Sequence, residues 1–159
     1  MFKRISLAAI LLASTAIAPA QSQTSGIEVG ALNCVVEGGF GLLIGSSRDM
    51  RCEFQHANGT NAPVAYIGRI DKLGLDIGVT SDAYMTWAVV AAEPDIYQPG
   101  ALAGTYGGAS ASASFAVGLG ANVLVGGSAD SFALQPLSVQ NQTGLNLAVG
   151  LSRLVLERL

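Results

Sequence analysis

One histidine, His56, and eleven acidic residues make up most of the acid–base equipment of this 159-residue chain. A lone imidazole rules out a metal cluster built on histidines. A Ser-His-Asp arrangement is formally open to His56, yet no G-x-S-x-G elbow presents a serine, and a solvated loop position is its ordinary role. Asp71 and Asp76 in "RIDKLGLDIG", or Glu93 and Asp95 in "AEPDIY", are the residue types of a glycosidase carboxylate pair. Turns favour Asp on backbone grounds alone, so solvated turn carboxylates are expected. Two glycine-rich runs, "GGFGLLIGSS" at 38–47 and "GLGANVLVGG" at 118–127, raise the question of a phosphate cradle. Such a cradle needs glycine at set places and must open a helix. Ile44 and Val123 stand where the third glycine is required, and no lysine follows Gly126-Gly127. Nucleotide binding is therefore set aside, and the second run reads as a glycine-bearing strand. No catalytic, cofactor-binding or metal-ligating residue is assigned.

The chain opens "MFKRISLAAILLASTAIAPA", with cations at Lys3 and Arg4, a short apolar core and an A-x-A site. This is the pattern of a secretory signal peptide, too short in its apolar part to stay as a membrane span. The expected organisation is a signal peptide over 1–20 and a single β-rich domain over 21–159. Without Lys3 and Arg4, six basic and eleven acidic side chains remain, a formal balance of −5. That balance disfavours nucleic acid and anionic lipid headgroups, both of which need a basic footprint. The expected location is exported and periplasmic. Two cysteines, Cys34 and Cys52, are an even count in an oxidising compartment and lack C-x-x-C spacing, so a structural disulfide is expected.

These residues must be held by strands. "DMRCEFQ" alternates, with Met50, Cys52 and Phe54 on one side and Asp49, Arg51, Glu53 and Gln55 on the other, as in a half-buried antiparallel strand. Cys52 then points into a core where Cys34 of "IEVGALNCVV" could meet it. Asn58-Gly59 in "HANGTNAP" predicts a hairpin into "VAYIGRI". "YMTWAVVA" sets Met85, Trp87, Val89 and Ala91 on one face, and Pro94, Pro99 and Gly100 punctuate a loop after it. The alternation from Ser110 through Val125, together with the small-residue run at 107–114, predicts strand with a bend or hairpin at Gly118–Gly120. The last run aligns Leu145, Leu147, Val149 and Leu151, then slips phase near Ser152-Arg153, as a β-bulge would produce. The fold class is all-β: a single antiparallel sandwich or small closed barrel of eight to ten strands with one disulfide.

Charge is unevenly placed: residues 96–152 carry one carboxylate, Asp130, and no base, whereas residues 21–95 hold thirteen charged side chains. So neutral a stretch is either sheet covered on both faces or a surface that meets something apolar.

"NCVVEGGFGLLIGSSRDMRCEF", "IGRIDKLGLDIGV", "MTWAVVA", "PGALAGTYGGASA" and "VGLGANVLVGGSADSFALQPLSVQNQTGLNLAVGL" together resemble the domain of unknown function 992 family, small exported proteins of alpha-proteobacteria. The resemblance spans the mature chain. It implies an envelope protein with two paired cysteines, matching Cys34 and Cys52, and it implies no activity or ligand. The closing glycine-rich segment is also similar, over part of the chain, to the lipid-binding SYLF domain. The leading reading is a non-catalytic binding or structural β-domain that uses the 96–152 region toward an apolar or lipid-like ligand or a second copy of itself. A small outer-membrane barrel is the alternative, and a carboxylate-dependent hydrolase using Asp71 or Asp76 is a second one.

Overall fold

In the computed structural model, residues 26–38, 46–72, 82–108, 114–116, 119, 122–140 and 151–159 are described. The predicted leader, Asp76, and Leu145, Leu147 and Val149 lie outside them. Eight strands form the framework: β1 (Ile27–Val36), β2 (Ser46–His56), β3 (Val64–Lys72), β4 (Ala83–Ala91), β5 (Gly104–Gly108), β6 (Leu124–Gly126), β7 (Phe132–Gln140) and β8 (Leu151–Arg158). They close into a barrel in the order β1-β2-β3-β8-β5-β6-β7-β4, and every neighbouring pair is antiparallel. Relative to a simple meander, β4 and β8 have exchanged places. The crossover from β4 to β5, residues 92–103, therefore spans one mouth of the barrel. We call this the near end; it also holds the β2–β3 turn and the end of β8.

Period-two patterning explains the strands. On β1 and β2 the buried Leu32, Cys34 and Val36 pair in register with Phe54, Cys52 and Met50, while Asn33, Arg51 and Glu53 face outward. Cys34 and Cys52 stand directly opposite one another, Cα atoms 4.0 Å apart, and are joined by a disulfide. The Asn58-Gly59 hairpin is present: Gly59 N–H donates to the His56 carbonyl at 3.0 Å, and Gly59 takes a φ of +64°. On β8 the register skips Ser152, since Asp71 pairs with Arg153 and Lys72 with Leu151. That is the bulge expected from the phase slip, and beyond it Leu154 and Leu156 point inward.

Leu32, Phe54, Tyr66, Ile70, Met85, Trp87, Tyr106, Phe132, Leu134, Leu154 and Leu156 fill the interior, each at most 1 % exposed. An eight-stranded barrel is just narrow enough for side chains to fill, and each large apolar side chain buried there contributes about 1.5–3 kcal/mol. Where backbones crowd, small residues are required. A Cβ on Gly126 would run into the Thr105 carbonyl and the Tyr106 backbone on the paired strand β5.

Two expectations need correction. Strand was expected over 110–125 with a bend or hairpin at Gly118–Gly120; those two glycines lie outside the described residues, and residues 114–116 are not strand. Ser114–Ala116 form a single 3-10 turn, Asn122 takes a φ of +68°, and β6 begins at Leu124. β6 pairs with β5, from which fifteen residues separate it in the chain. The physical reason lies on the outside of the barrel. There Ala116 and Val123, with Phe115 and Leu119, pack on Val90, Ala133 and Val125, and the Phe115 carbonyl accepts a hydrogen bond from Gly26 N–H at 3.2 Å. Alternating small and apolar residues suited this covering segment as well as they suit a strand. Part of the charge-poor stretch thus supplies sheet residues buried on both faces, together with the segment that covers them.

The second correction concerns the outer-membrane alternative. A lipid-embedded barrel presents an apolar band outward and a polar lumen. Here the lumen is apolar, and the outward positions of β2, β3 and β8 include Asp49, Arg51, Glu53, Arg69, Arg153 and Glu157. Some of these pair across strands, Arg69 with Asp49 at 3.0 Å and Arg51 with Glu37 at 3.5 Å. Charge in those places suits water.

Candidate functional site

The near end of the barrel gathers the side chains with unmet chemistry. Phe54 and His56 close β2, Val64 and Ala65 open β3, Arg158 ends β8, and the 92–103 crossover brings Tyr97, Pro99 and Gly100 across to meet them. The crossover is folded by its own main chain: Ala101 N–H donates to the Gln98 carbonyl at 2.8 Å and Ala103 N–H to the Gly100 carbonyl at 3.0 Å. It is seated by Leu102, fully buried, whose carbonyl accepts from the Tyr106 hydroxyl at 2.8 Å.

Pro99-Gly100 is held from two sides. Gly100 N–H donates to the Tyr66 hydroxyl oxygen at 3.1 Å, and the Arg158 guanidinium donates through Nη1 to the Pro99 carbonyl at 3.2 Å. Gly100 has a φ of +95°, and a Cβ there would stand 3.0 Å from Arg158 Cδ. Glycine is therefore what lets the arginine stem lie over the loop.

Three rings form the inner wall. Tyr97 is 4.6 Å from Phe54 between centroids and 5.3 Å from His56, the latter edge to face at 73°. Such offset and edge-on pairs are the favoured aromatic geometries. Between this wall, the 61–65 segment and Arg158 lies an open pocket of about 590 Å³. The His56 Nδ1 and the Tyr97 hydroxyl are shut off from water without a well-formed hydrogen bond. Burial, and then the neighbouring Tyr66 hydroxyl, push the Tyr97 phenol well above its ordinary range, with Arg158 opposing weakly. Burial likewise raises Tyr106. In the interior, Trp87 Nε1 is also unpartnered.

The residues considered from sequence fall elsewhere. His56 ends a strand and packs on two rings, so it is half-buried and not the solvated loop residue expected. Asp71 lies on β3 toward the far end, accepts from the Ser47 hydroxyl, and stands opposite Arg153. Glu93 and Asp95 are exposed in the crossover at the near end. The barrel length therefore separates Asp71 from Glu93 and Asp95. Among the described residues no group of three or more His, Cys, Asp or Glu side chains gathers as a metal site. Residues 122–127 of the second glycine run form a turn and the short β6, which a three-residue 3-10 turn at Ser128–Asp130 follows. Sequence reasoning missed Tyr97 and Arg158, which come from segments far from His56. It also missed Arg48, which is 8 % exposed, shares the inward face of β2, and donates to the Glu37 carbonyl at 3.3 Å. Its parity with Met50 was the available signal.

Residues 13–157 match the profile of the family described as "Protein of unknown function (DUF992)". The chain belongs to that family. No curated protein and no solved structure matches it. Within this DUF992 barrel, the near-end pocket is where ring surfaces, a cation and unsatisfied polar atoms come together, the combination expected of a small-molecule site.

Proposed function

We propose that this DUF992 protein is an exported, disulfide-stapled envelope domain whose role is non-catalytic binding, with the near-end pocket as its site. The observation that carries this reading is the contrast between a lumen packed with side chains and a mouth that remains open beside them. A barrel whose interior is full has no calyx to offer, so recognition falls to its rim. Tyr97 and Pro99, near the start of the charge-poor stretch, line that pocket, which links the site to the neutral region singled out from sequence. Export is supported by the leader-like residues 1–20 and by a buried cystine, which persists in an oxidising compartment.

The test is fractionation followed by native mass spectrometry of the protein taken from its own envelope. Release by osmotic shock, with a retained small molecule, is the expected result. Protein that stays in the cytoplasm, or that arrives as a bare monomer, would overturn the proposal.

A further inference from the structure

We propose that the near-end pocket takes a small aromatic anion, a flat ring system bearing one carboxylate or sulfonate. This deepens the binding reading above and rests on it.

Three observations define the guest. The first is shape: Val64, Tyr97 and Pro99 offer stiff apolar surfaces, with the buried Phe54 backing the Tyr97 ring, around an open space of about 590 Å³, which suits a ring system. Ring faces and edges reward a partner that is itself aromatic.

The second is charge. The chain has an acidic excess, yet no acidic side chain lines this pocket; its ionisable side chains are Arg158, His56 and the neutral-held Tyr97. Arg158 is fixed in place by its stem on Gly100 and by Nη1 on the Pro99 carbonyl. A guanidinium has five N–H donors, so the rest of its fork can take an oxyanion in the planar geometry that arginine favours.

The third is the pair of orphans. The His56 Nδ1 and the Tyr97 hydroxyl lie in the ring wall without a well-formed hydrogen bond, the Tyr97 hydroxyl with the Tyr66 hydroxyl beside it. Buried polar atoms are nearly always satisfied, so a small turn of either ring toward the pocket would let a guest's acid oxygen complete one of them.

The chain, expressed for export and purified oxidised, is titrated with 8-anilinonaphthalene-1-sulfonate and followed by fluorescence. Competition then uses 1-naphthoate, the neutral 1-naphthalenemethanol, and decanoate. We expect one saturable site per chain, displaced by 1-naphthoate, with the alcohol and decanoate each at least tenfold weaker. Arg158→Gln should weaken the dye at least tenfold, whereas Arg51→Gln on the outer face of β2 should leave affinity within twofold. Ala62→Trp, on the exposed rim, should block binding without touching Arg158 and so guards against a folding defect in the first variant. Unsaturable dye binding, equal competition by the alcohol, or an Arg158→Gln affinity within twofold of the parent would overturn the proposal. Displacement by decanoate in preference to 1-naphthoate would also overturn it, in favour of an acyl guest. These failures leave the broader binding reading standing if native mass spectrometry still finds a retained molecule.

Discussion

The Cys34–Cys52 bridge joins residues that already face each other across paired strands, so its contribution can be isolated. The two are 18 residues apart in sequence. Restricting an unfolded chain over a loop of that length should stabilise the fold by about 3 kcal/mol in the chain-entropy model. For a domain of this size that corresponds to a fall in Tm of roughly 10 °C when the bond is opened. Both sulfurs are buried, Cys34 at 2 % and Cys52 at 5 % exposed, so replacing them by alanine removes core contacts as well. Reduced wild type should therefore lose about 3 kcal/mol, and Cys34→Ala/Cys52→Ala a further 1–2 kcal/mol. The assay is urea unfolding with and without reductant, read by far-ultraviolet circular dichroism. The seven residue pairs of β1 and β2 should hold the native register in the reduced protein and in the double-alanine variant, so the strand spectrum should persist. A change below about 1 kcal/mol on reduction, or free thiols titrating in the oxidised protein, would refute the reasoning.

Three further outcomes are expected. Gly126→Ala places a Cβ against the Thr105 carbonyl and should lower stability by about 2–4 kcal/mol, whereas Gly107→Ala, where the space is open, should be neutral or gain about 0.5 kcal/mol; urea midpoints compare the two. Ala133 faces outward yet is fully buried in the cluster with Phe115, Ala116, Leu119 and Val123, so Ala133→Glu should lower stability by about 2–4 kcal/mol, measured by thermal unfolding, where a truly wet strand face would tolerate it. Tyr106 is fully buried and its hydroxyl is held neutral chiefly by burial. Because its folded pKa is raised, its contribution is intact below the unfolded value near 10 and is lost as pH rises above it, by about 1.4 kcal/mol per pH unit; Tyr106→Phe should flatten that alkaline slope.

The first four strands were legible: β2 from its alternation, β4 from the face shared by Met85, Trp87, Val89 and Ala91, and β1 and β3 as strand-like runs; so was the bulge at Ser152, from one missed beat in a period-two run. The cystine was legible because two cysteines without C-x-x-C spacing leave one pairing, and parity put Cys52 inside. Between Ser110 and Val125 parity misled, because Gly, Ala and Ser are small enough to fit either a strand or a segment laid across one. What distinguishes those outcomes is Val90 and Ala133 on other strands, which no local window contains. Strand order was illegible too, as the exchange of β4 and β8 is decided by packing in the closed barrel. The site suffered most: His56 was visible, but its meaning depends on Tyr97, Pro99 and Arg158, which only the crossover and the last strand bring to it.

The central claim is that the barrel is full and that recognition occurs at its near end. Nuclear magnetic resonance of the isotope-labelled protein titrated with 1-naphthoate tests this most directly. The account predicts shifts confined to Phe54, His56, Tyr97, Gly100 and Arg158, with Leu32, Met85 and Trp87 unmoved. Intermolecular contacts from the naphthalene ring to Leu32, Met85 or Trp87 would place the guest inside the lumen and contradict it.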